Sequence, residues 1–154
     1  MLHLKAKCNL NLFTENFDPF EELRVWNRQL VETLQQSPAA QCHFIGRARD
    51  TTNSGETLEA LELEHYPGMC ESEIARLAEA AAGLHQAMAV LVQHRIGLVM
   101  PGQFIVLVAV AADRRGQAQR CCQELMEEIK HKAPFWKREW SAGVGHWLES
   151  NTAY

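Results

Sequence analysis

The sequence lacks the short motifs that hold metals and nucleotides. Its five cysteines form no CxxC pair, its seven histidines show no HExxH or similar spacing, and no glycine loop of the Walker or GxGxxG type is present. Zinc sites and dinucleotide sites depend on such spacings, which place ligands on one face or let a backbone approach a phosphate. We therefore predict no metal and no bound cofactor.

The chain also lacks a basic excess and a long apolar run. Its formal net charge is −4 and its pI is about 6.0, whereas general binders of nucleic acid or membrane surfaces are usually basic. Apolar runs such as 104–112 are much shorter than a membrane span, and the first residues, MLHLKAKCNL, lack the continuous apolar core of a signal peptide. We expect a cytoplasmic protein with no nucleic-acid or membrane partner, in which any anion site is local.

The cysteines are better explained as packing residues than as disulfides or ligands. An odd number cannot pair completely within one chain, and a cysteine is most often a small buried hydrophobe. We expect five reduced thiols, at Cys8, Cys42, Cys70, Cys121 and Cys122.

Length and composition predict one globular domain over residues 1–154. The chain is 47% hydrophobic and 22% charged, which is enough apolar surface for a core. No internal repeat, low-complexity tract or linker divides it.

Alternation and capping signals organise the first third of the chain. Apolar residues occupy every second position from Leu2 to Leu12, which predicts a strand with one buried face. Asp18-Pro19-Phe20-Glu21 offers an N-cap, a proline for the first helical turn and a glutamate for a capping box, so a helix should run to about Gln36. A strand over 41–48 should then lead into the polar loop RDTTNSGET, which is either solvated or in contact with a ligand.

The middle of the chain alternates again. A strand is predicted over 57–66, and Pro67-Gly68 ends it before an amphipathic helix that carries Ile74, Leu77, Ala81 and Leu84 on one face. Two further strands, over 87–96 and 103–112, should pair across a loop ending in the sequence MPG.

The last third predicts a helix and a short strand pair. Asp113 can cap the helix, and Pro134 prevents its continuation, so that Lys130 lies near a helix end. Strands over 135–140 and 144–148 should follow. The whole pattern indicates the α+β class.

Three cationic clusters stand at predicted element ends. They are Arg47 with Arg49, Arg114 with Arg115, and the segment from Lys130 to Arg138. If these ends converge, the clusters form a pocket in which arginine forks and backbone donors hold phosphate. Taken singly, each such residue is more often solvated, and the lysines near the helix end could merely complement the helix dipole.

Four motifs resemble the large, catalytic subunits of molybdopterin synthase. They are LEHYPGM at 63–69, HRIG at 94–97, the PG turn at 101–102 and KxxAPFWKRE at 130–139. The resemblance extends over about residues 17–148 in the order of the family.

The resemblance implies an activity, partners and a fold. Those subunits convert cyclic pyranopterin monophosphate into molybdopterin by installing the two dithiolene sulfurs. The sulfur arrives as a C-terminal Gly-Gly thiocarboxylate on a small ubiquitin-like sulfur-carrier subunit of the MoaD type. The implied fold is an α/β hammerhead with an additional small antiparallel sheet, and the implied assembly is a homodimer within a heterotetramer.

The resemblance also implies site residues. Lys130 and Lys137 match the two catalytic lysines, with Lys130 nearest the thiocarboxylate. The substrate-binding positions are Arg47, Ala48, Arg49, Asp113, Arg114, Lys130, Lys137, Arg138 and Glu139. Asp113 departs from the family pattern, which usually has histidine there, and His94 or His131 are candidates to replace it.

The cationic segment then has a physical explanation. A phosphate and a thiocarboxylate repel each other when they are brought together, and lysines and arginines offset that repulsion. Neighbouring cations, namely Lys130, Lys132, Lys137 and Arg138, should lower the pKa of a lysine amine, which can then act as an acid, a base or an acyl acceptor. The Phe135-Trp136 pair is expected to anchor the segment in the core.

Two other interpretations stay open from the residues alone. The same clusters would suit a non-catalytic module that binds a phosphate ligand or nucleotide, although it would lack a glycine loop. They would also suit a structural partner subunit in which Lys130 and Lys137 are only surface charges.

Overall fold

The computed structural model describes residues 5–149. It contains three helices and eight strands within that range. In chain order they are β1 (Lys7–Phe13), α1 (Pro19–Leu34), β2 (Ala40–Arg47), β3 (Ala60–His65), α2 (Met69–His85), β4 (Ala89–Arg95), β5 (Gly97–Val99), β6 (Phe104–Ala112), α3 (Arg115–Lys132), β7 (Phe135–Ser141) and β8 (Val144–Trp147).

The larger sheet has the strand order β1-β4-β6-β2, and its central strands β4 and β6 are buried on both faces. β1 runs parallel to β4, and the other pairs are antiparallel. On β4 and β6, one set of alternate residues packs against α2 and α3, and the other set packs against α1. A strand that is covered on both faces needs no polar positions, which explains the near-continuous apolar run 104–112.

The smaller sheet has the strand order β5-β3-β7-β8 and is antiparallel throughout. Its β7 follows α3 after a short turn, in which the Phe135 N–H donates to the Ala133 carbonyl (2.8 Å). The α+β class with an additional small antiparallel sheet, expected for the α/β hammerhead, is confirmed.

Most predicted elements are present with shifted ends. Asp18 caps α1 as predicted, because its Oδ1 accepts the Phe20 N–H (2.9 Å). Glu21 does not complete a capping box but pairs with Arg24 instead. The first strand begins at Lys7 rather than Leu2; positions 2–4 lie outside the described residues.

Two predictions near the ends of β4 and β6 were wrong. The expected loop before the PG turn contains β5, a strand of three residues that pairs with β3. Asp113 does not cap α3, because the helix begins one residue later and Arg114 is its N-cap. The Arg114 N–H donates to Gln117 Oε1 (3.2 Å), so a glutamine in the first turn supplies the acceptor.

The described part of the chain, residues 5–149, has no helix that is long and apolar enough to cross a membrane. All five cysteines are free thiols; Cys70, Cys121 and Cys122 are buried, and Cys8 and Cys42 are half-buried. Burial raises the pKa of Cys121 to about 12, which suits a packing role. The assignment of residues 1–154 to one domain stays a prediction.

Candidate active site

A cavity of about 420 Å³ lies where the end of β2, the last turn of α3 and β7 meet. It brings together cationic residues from two of the three predicted clusters: Arg47 and Arg49 from one, and Lys130 and Lys137 from the other. They are 81 or more positions apart in sequence, so only the fold joins them. Two anions could be held in this space without the repulsion that they would otherwise meet.

The end of β2 is shaped to present Arg47. Its register with β6 shifts between Gly46 and Arg47, and such bulges redirect the following side chain. A Cβ on Gly46 would lie 2.9 Å from Val106 Cγ1, so a larger residue would displace the strand end. Arg47 Nη1 donates to the Gly102 carbonyl (3.3 Å), and the guanidinium lies 4.0 Å from the centre of the Phe104 ring.

Ala48 lines the cavity through a backbone that is fixed on both sides. Its N–H donates to the Gln103 carbonyl and its carbonyl accepts the Gly102 N–H, each at 2.9 Å. The PG turn is therefore tied to the strand end that carries Arg47 and Arg49. This tie explains why a turn remote in sequence matters to the site.

Lys130 and Lys137 approach the cavity from two different elements. Lys130 belongs to the last turn of α3, whose neighbouring residue Ile129 is buried in the core, and Lys137 lies on β7. Burial, and secondarily the positive charge of Lys130, lower the pKa of the Lys137 amine. A larger fraction of Lys137 is therefore neutral near pH 7 than of an ordinary lysine, and a neutral amine can accept a proton or an acyl group.

The other two cations of the segment do not take part as expected. Lys132 is exposed and pairs with Glu128 one helical turn away (2.5 Å). Arg138 points to the opposite face of β7, where its Nη2 lies 2.6 Å from Glu62 Oε2. The lowering of the Lys137 pKa thus comes from burial first and from Lys130, and not from the whole run of charges.

The Arg138 side chain is enclosed by aromatic rings. Its guanidinium lies 4.7 Å from the centre of the Trp140 ring and 4.4 Å from that of Trp147. A Cβ on Gly145 would lie 2.8 Å from Arg138 Cδ, so the glycine makes room for this stack. The arrangement joins β7 to β3 and β8 and directs Arg138 away from the cavity.

Glu139 lines the cavity, and its carboxylate holds the polar loop. The Asn53 N–H donates to both of its oxygens, at 3.2 Å each. Thr51 and Asn53 of the same loop also line the cavity; sequence reasoning singled out the loop but not these residues. The position of Asn53 depends on its hydrogen bond to Glu139, which is 86 positions away in the sequence. No local sequence pattern predicts this contact.

Six of the nine predicted site residues line this cavity, and three do not. Asp113 and Arg114 stand at the start of α3, and Arg138 lies on the other face of β7. The six that line the cavity are Arg47, Ala48, Arg49, Lys130, Lys137 and Glu139.

Of the pair Phe135-Trp136, which was expected to anchor the segment in the core, only Phe135 packs inward. Phe135 is half-buried and stacks on His94, with ring centres 4.1 Å apart and planes at 14°. Trp136 is 45% exposed and meets Tyr66 edge-on instead of entering the core. Strand alternation explains the difference, because adjacent residues point to opposite faces.

Of the two histidines considered as replacements at Asp113, the structure brings one to the cavity. His94 lines it and is 4% exposed, whereas His131 is exposed and lies 3.3 Å from Glu127.

Known proteins are similar to this chain in both sequence and fold. The model of the MoaE protein family matches residues 20–132, which is the span that contains α1 to α3. The chain belongs to the MoaE family. The family predicted from the four motifs is thereby confirmed.

Curated relatives of this MoaE chain are named molybdopterin synthase catalytic subunits. One from Ralstonia nicotianae is 43% identical over 107 residues, which are 70% of this chain and 60% of that protein. One from Pasteurella multocida is 38% identical over 132 residues, which are 86% of this chain and 85% of that protein. The matched segment thus spans less than two thirds of the Ralstonia protein and most of the Pasteurella protein.

A solved structure has the same fold. The molybdopterin biosynthesis MoaE protein from Burkholderia ambifaria superposes with a TM-score of 0.74 at 31% identity, covering 97% of this chain and 92% of that one.

Proposed function

We propose that this MoaE chain is the catalytic subunit of a molybdopterin synthase, a sulfurtransferase. Its substrate is cyclic pyranopterin monophosphate, and its product carries the molybdopterin dithiolene. The observation that carries the proposal is the meeting of Lys130 and Lys137 with Arg47 and Arg49 in one cavity. Family membership supports the same conclusion.

Each basic residue has a role that follows from its place. Arg47 and Arg49 offer guanidinium forks for the substrate phosphate, which such forks bind well. Lys130, at the end of α3, meets the thiocarboxylate, and Lys137, whose pKa burial lowers, exchanges protons with the reacting groups or accepts the acyl carbon. Each transfer breaks the carbon–sulfur bond of the tail and forms a carbon–sulfur bond on the substrate in place of a carbon–oxygen bond. The tail gains one oxygen for the sulfur that it gives and ends as a carboxylate.

The sulfur donor in this proposal is a small ubiquitin-like subunit with a C-terminal Gly-Gly thiocarboxylate. A glycine pair has no side chains and can enter a narrow space as extended backbone. We propose a homodimer of this chain that binds one small subunit per protomer, in a heterotetramer. Asp113, Arg114 and Arg138 remain proposed substrate-binding positions by family match only.

The proposed location is the cytoplasm. Five free thiols in the described residues suit a reducing compartment. No nucleic-acid or membrane partner is proposed.

Reconstitution tests the function directly. The purified chain is mixed with thiocarboxylated small subunit and cyclic pyranopterin monophosphate, and product is measured after oxidation to its fluorescent pterin. We expect product at a rate that depends on both partners. If the chain binds the substrate but makes no product with an active small subunit, it is a phosphate-binding module. If product forms without this chain, the chain has only a structural role.

A further inference from the structure

The His94 ring is held in one orientation by two contacts. Its Nδ1 lies 2.7 Å from the Arg95 carbonyl oxygen, so Nδ1 carries the proton and donates it there. Its face stacks on Phe135 at 4.1 Å. Because the ring is 4% exposed, neither contact competes with bulk water.

The ring stays neutral in the folded protein. Burial lowers the pKa of His94 to about 4; the hydrogen bond to the Arg95 carbonyl opposes this shift, and the nearby Lys137 charge adds a smaller lowering that this value already includes. A neutral ring with its proton on Nδ1 has its lone pair on Nε2. His94 therefore adds no positive charge to the cationic cavity.

Phe135 connects His94 to both lysines. It is the first residue of β7, it follows α3 after the turn at Ala133, and Lys137 lies two residues later on the same face of the strand. The stack thus fixes the point at which the chain leaves the Lys130 helix and enters the Lys137 strand. It also forms part of the cavity wall, since His94, Phe135 and Lys137 all line it.

We propose that His94 is a positioning residue for sulfur transfer, whose stack on Phe135 sets the place of Lys137 in the cavity and keeps water from its amine. The role rests on the proposed function of the cavity, and it adds to that function a residue outside the predicted catalytic and substrate-binding set. His94 is therefore not a substitute for the histidine that the family usually has at position 113, because it acts through Phe135.

Several charged groups also bear on Lys137, and the test must leave them in place. Those that line the cavity with Lys137, or lie on its face of the smaller sheet, are Lys130 and Glu127 from α3, Glu139 from β7, His65 from β3, His94 from β4, and Arg47 and Arg49 from the end of β2. Replacing His94 changes none of these charges, because its own ring is neutral above about pH 4.

The first measurement needs neither partner nor substrate. The chain is treated with limiting acetic anhydride over a range of pH, and acetylation of Lys137 is followed by mass spectrometry, with the exposed Lys132 as internal reference. In His94→Ala, water reaches the amine, so we expect the midpoint of Lys137 acetylation to move to higher pH. His94→Phe, which keeps a ring on Phe135, should restore most of the original curve.

Val92→Ala is the matched control. Val92 is fully buried on the same face of β4, in the same core, and does not line the cavity. Its loss should lower stability without moving the Lys137 curve. Phe135→Leu removes the other ring of the stack and should shift the Lys137 acetylation curve as His94→Ala does. It replaces His94→Ala in the experiment if the alanine variant does not fold.

The second measurement is turnover in the reconstituted synthase. Misplacement of a reacting group should lower kcat by a factor on the order of tenfold to a hundredfold, while KM should change by less than about twofold. An unshifted acetylation curve in both His94→Ala and Phe135→Leu would overturn the proposal. If the wild-type chain makes no product, the proposed function fails, but the acetylation curves still decide whether His94 sets the environment of Lys137.

Discussion

Lys137 and Arg138 are neighbours in the chain, yet they lie on opposite faces of β7. Lys137 lines the cavity, whereas Arg138 pairs with Glu62 and stacks between Trp140 and Trp147. Two adjacent cations of one motif therefore do different work. Lys137 is available to a molecule in the cavity, whereas Arg138 links β7 to β3.

Replacing Arg138 should reduce stability before it affects the reaction. Arg138→Ala removes the ion pair with Glu62 and both ring contacts, so we expect a loss of about 1–3 kcal/mol in the free energy of unfolding. Denaturant unfolding checks this. Arg138→Lys should not restore the loss, because an ammonium lacks the planar fork. A variant with unchanged stability and a raised KM would instead support the substrate-binding role proposed for Arg138.

Lys130 and Lys132 lie about half a turn apart on α3, and their replacement should affect product formation differently. Lys130→Ala should lower product formation by at least about a hundredfold, the usual effect of removing a charge that stabilises the reacting groups. Lys132→Ala is the matched control, since it removes only an exposed pair with Glu128 and should keep activity within about twofold. Both variants should melt near the wild-type temperature. Equal turnover in the two would remove Lys130 from the mechanism.

Sequence patterns predicted the fold well wherever the cause is local. Asp18 caps α1 through a residue two positions away, and the alternation over 7–12 reflects the two faces of β1 itself. The predictions failed where a distant contact decides. Whether Arg138 or Lys137 enters the cavity depends on how β7 pairs with β3, whose Glu62 lies 76 positions away. The short strand β5 is likewise fixed by a distant contact, because it pairs with β3, where Leu61 lies opposite Val99.

The departure of Asp113 from the family pattern gives a sharp test. Because Arg114, not Asp113, is the N-cap of α3, Asp113→Asn and Asp113→His should each keep the melting temperature. We also expect turnover to stay within about twofold, since Asp113 does not line the cavity and histidine is the residue that the family usually has there. Thermal unfolding and steady-state rates check the two statements separately. A large loss of turnover at unchanged stability, in the asparagine variant only, would show that the carboxylate takes part in the reaction.

Acid should destabilise this protein partly through His94. The folded pKa of about 4 lies below the ordinary value of 6.5, so between these values the unfolded chain binds a proton that the folded chain does not. Stability from this group is complete above pH 6.5 and is lost as the pH falls towards 4. The loss should be about 3 kcal/mol, because each pKa unit corresponds to about 1.4 kcal/mol.

The comparison that isolates this effect is His94→Phe. Carboxylates and the other histidines titrate alike in both proteins, so the difference between their free energies of unfolding reports His94 alone. Denaturant unfolding at several values between pH 7 and pH 4 should show the wild type losing about 3 kcal/mol more than the variant. The variant is expected to be less stable at pH 7, because the Arg95 carbonyl loses its donor. Parallel curves would mean that the His94 ring takes up a proton as readily in the folded protein as in the unfolded chain, and that burial does not keep it neutral.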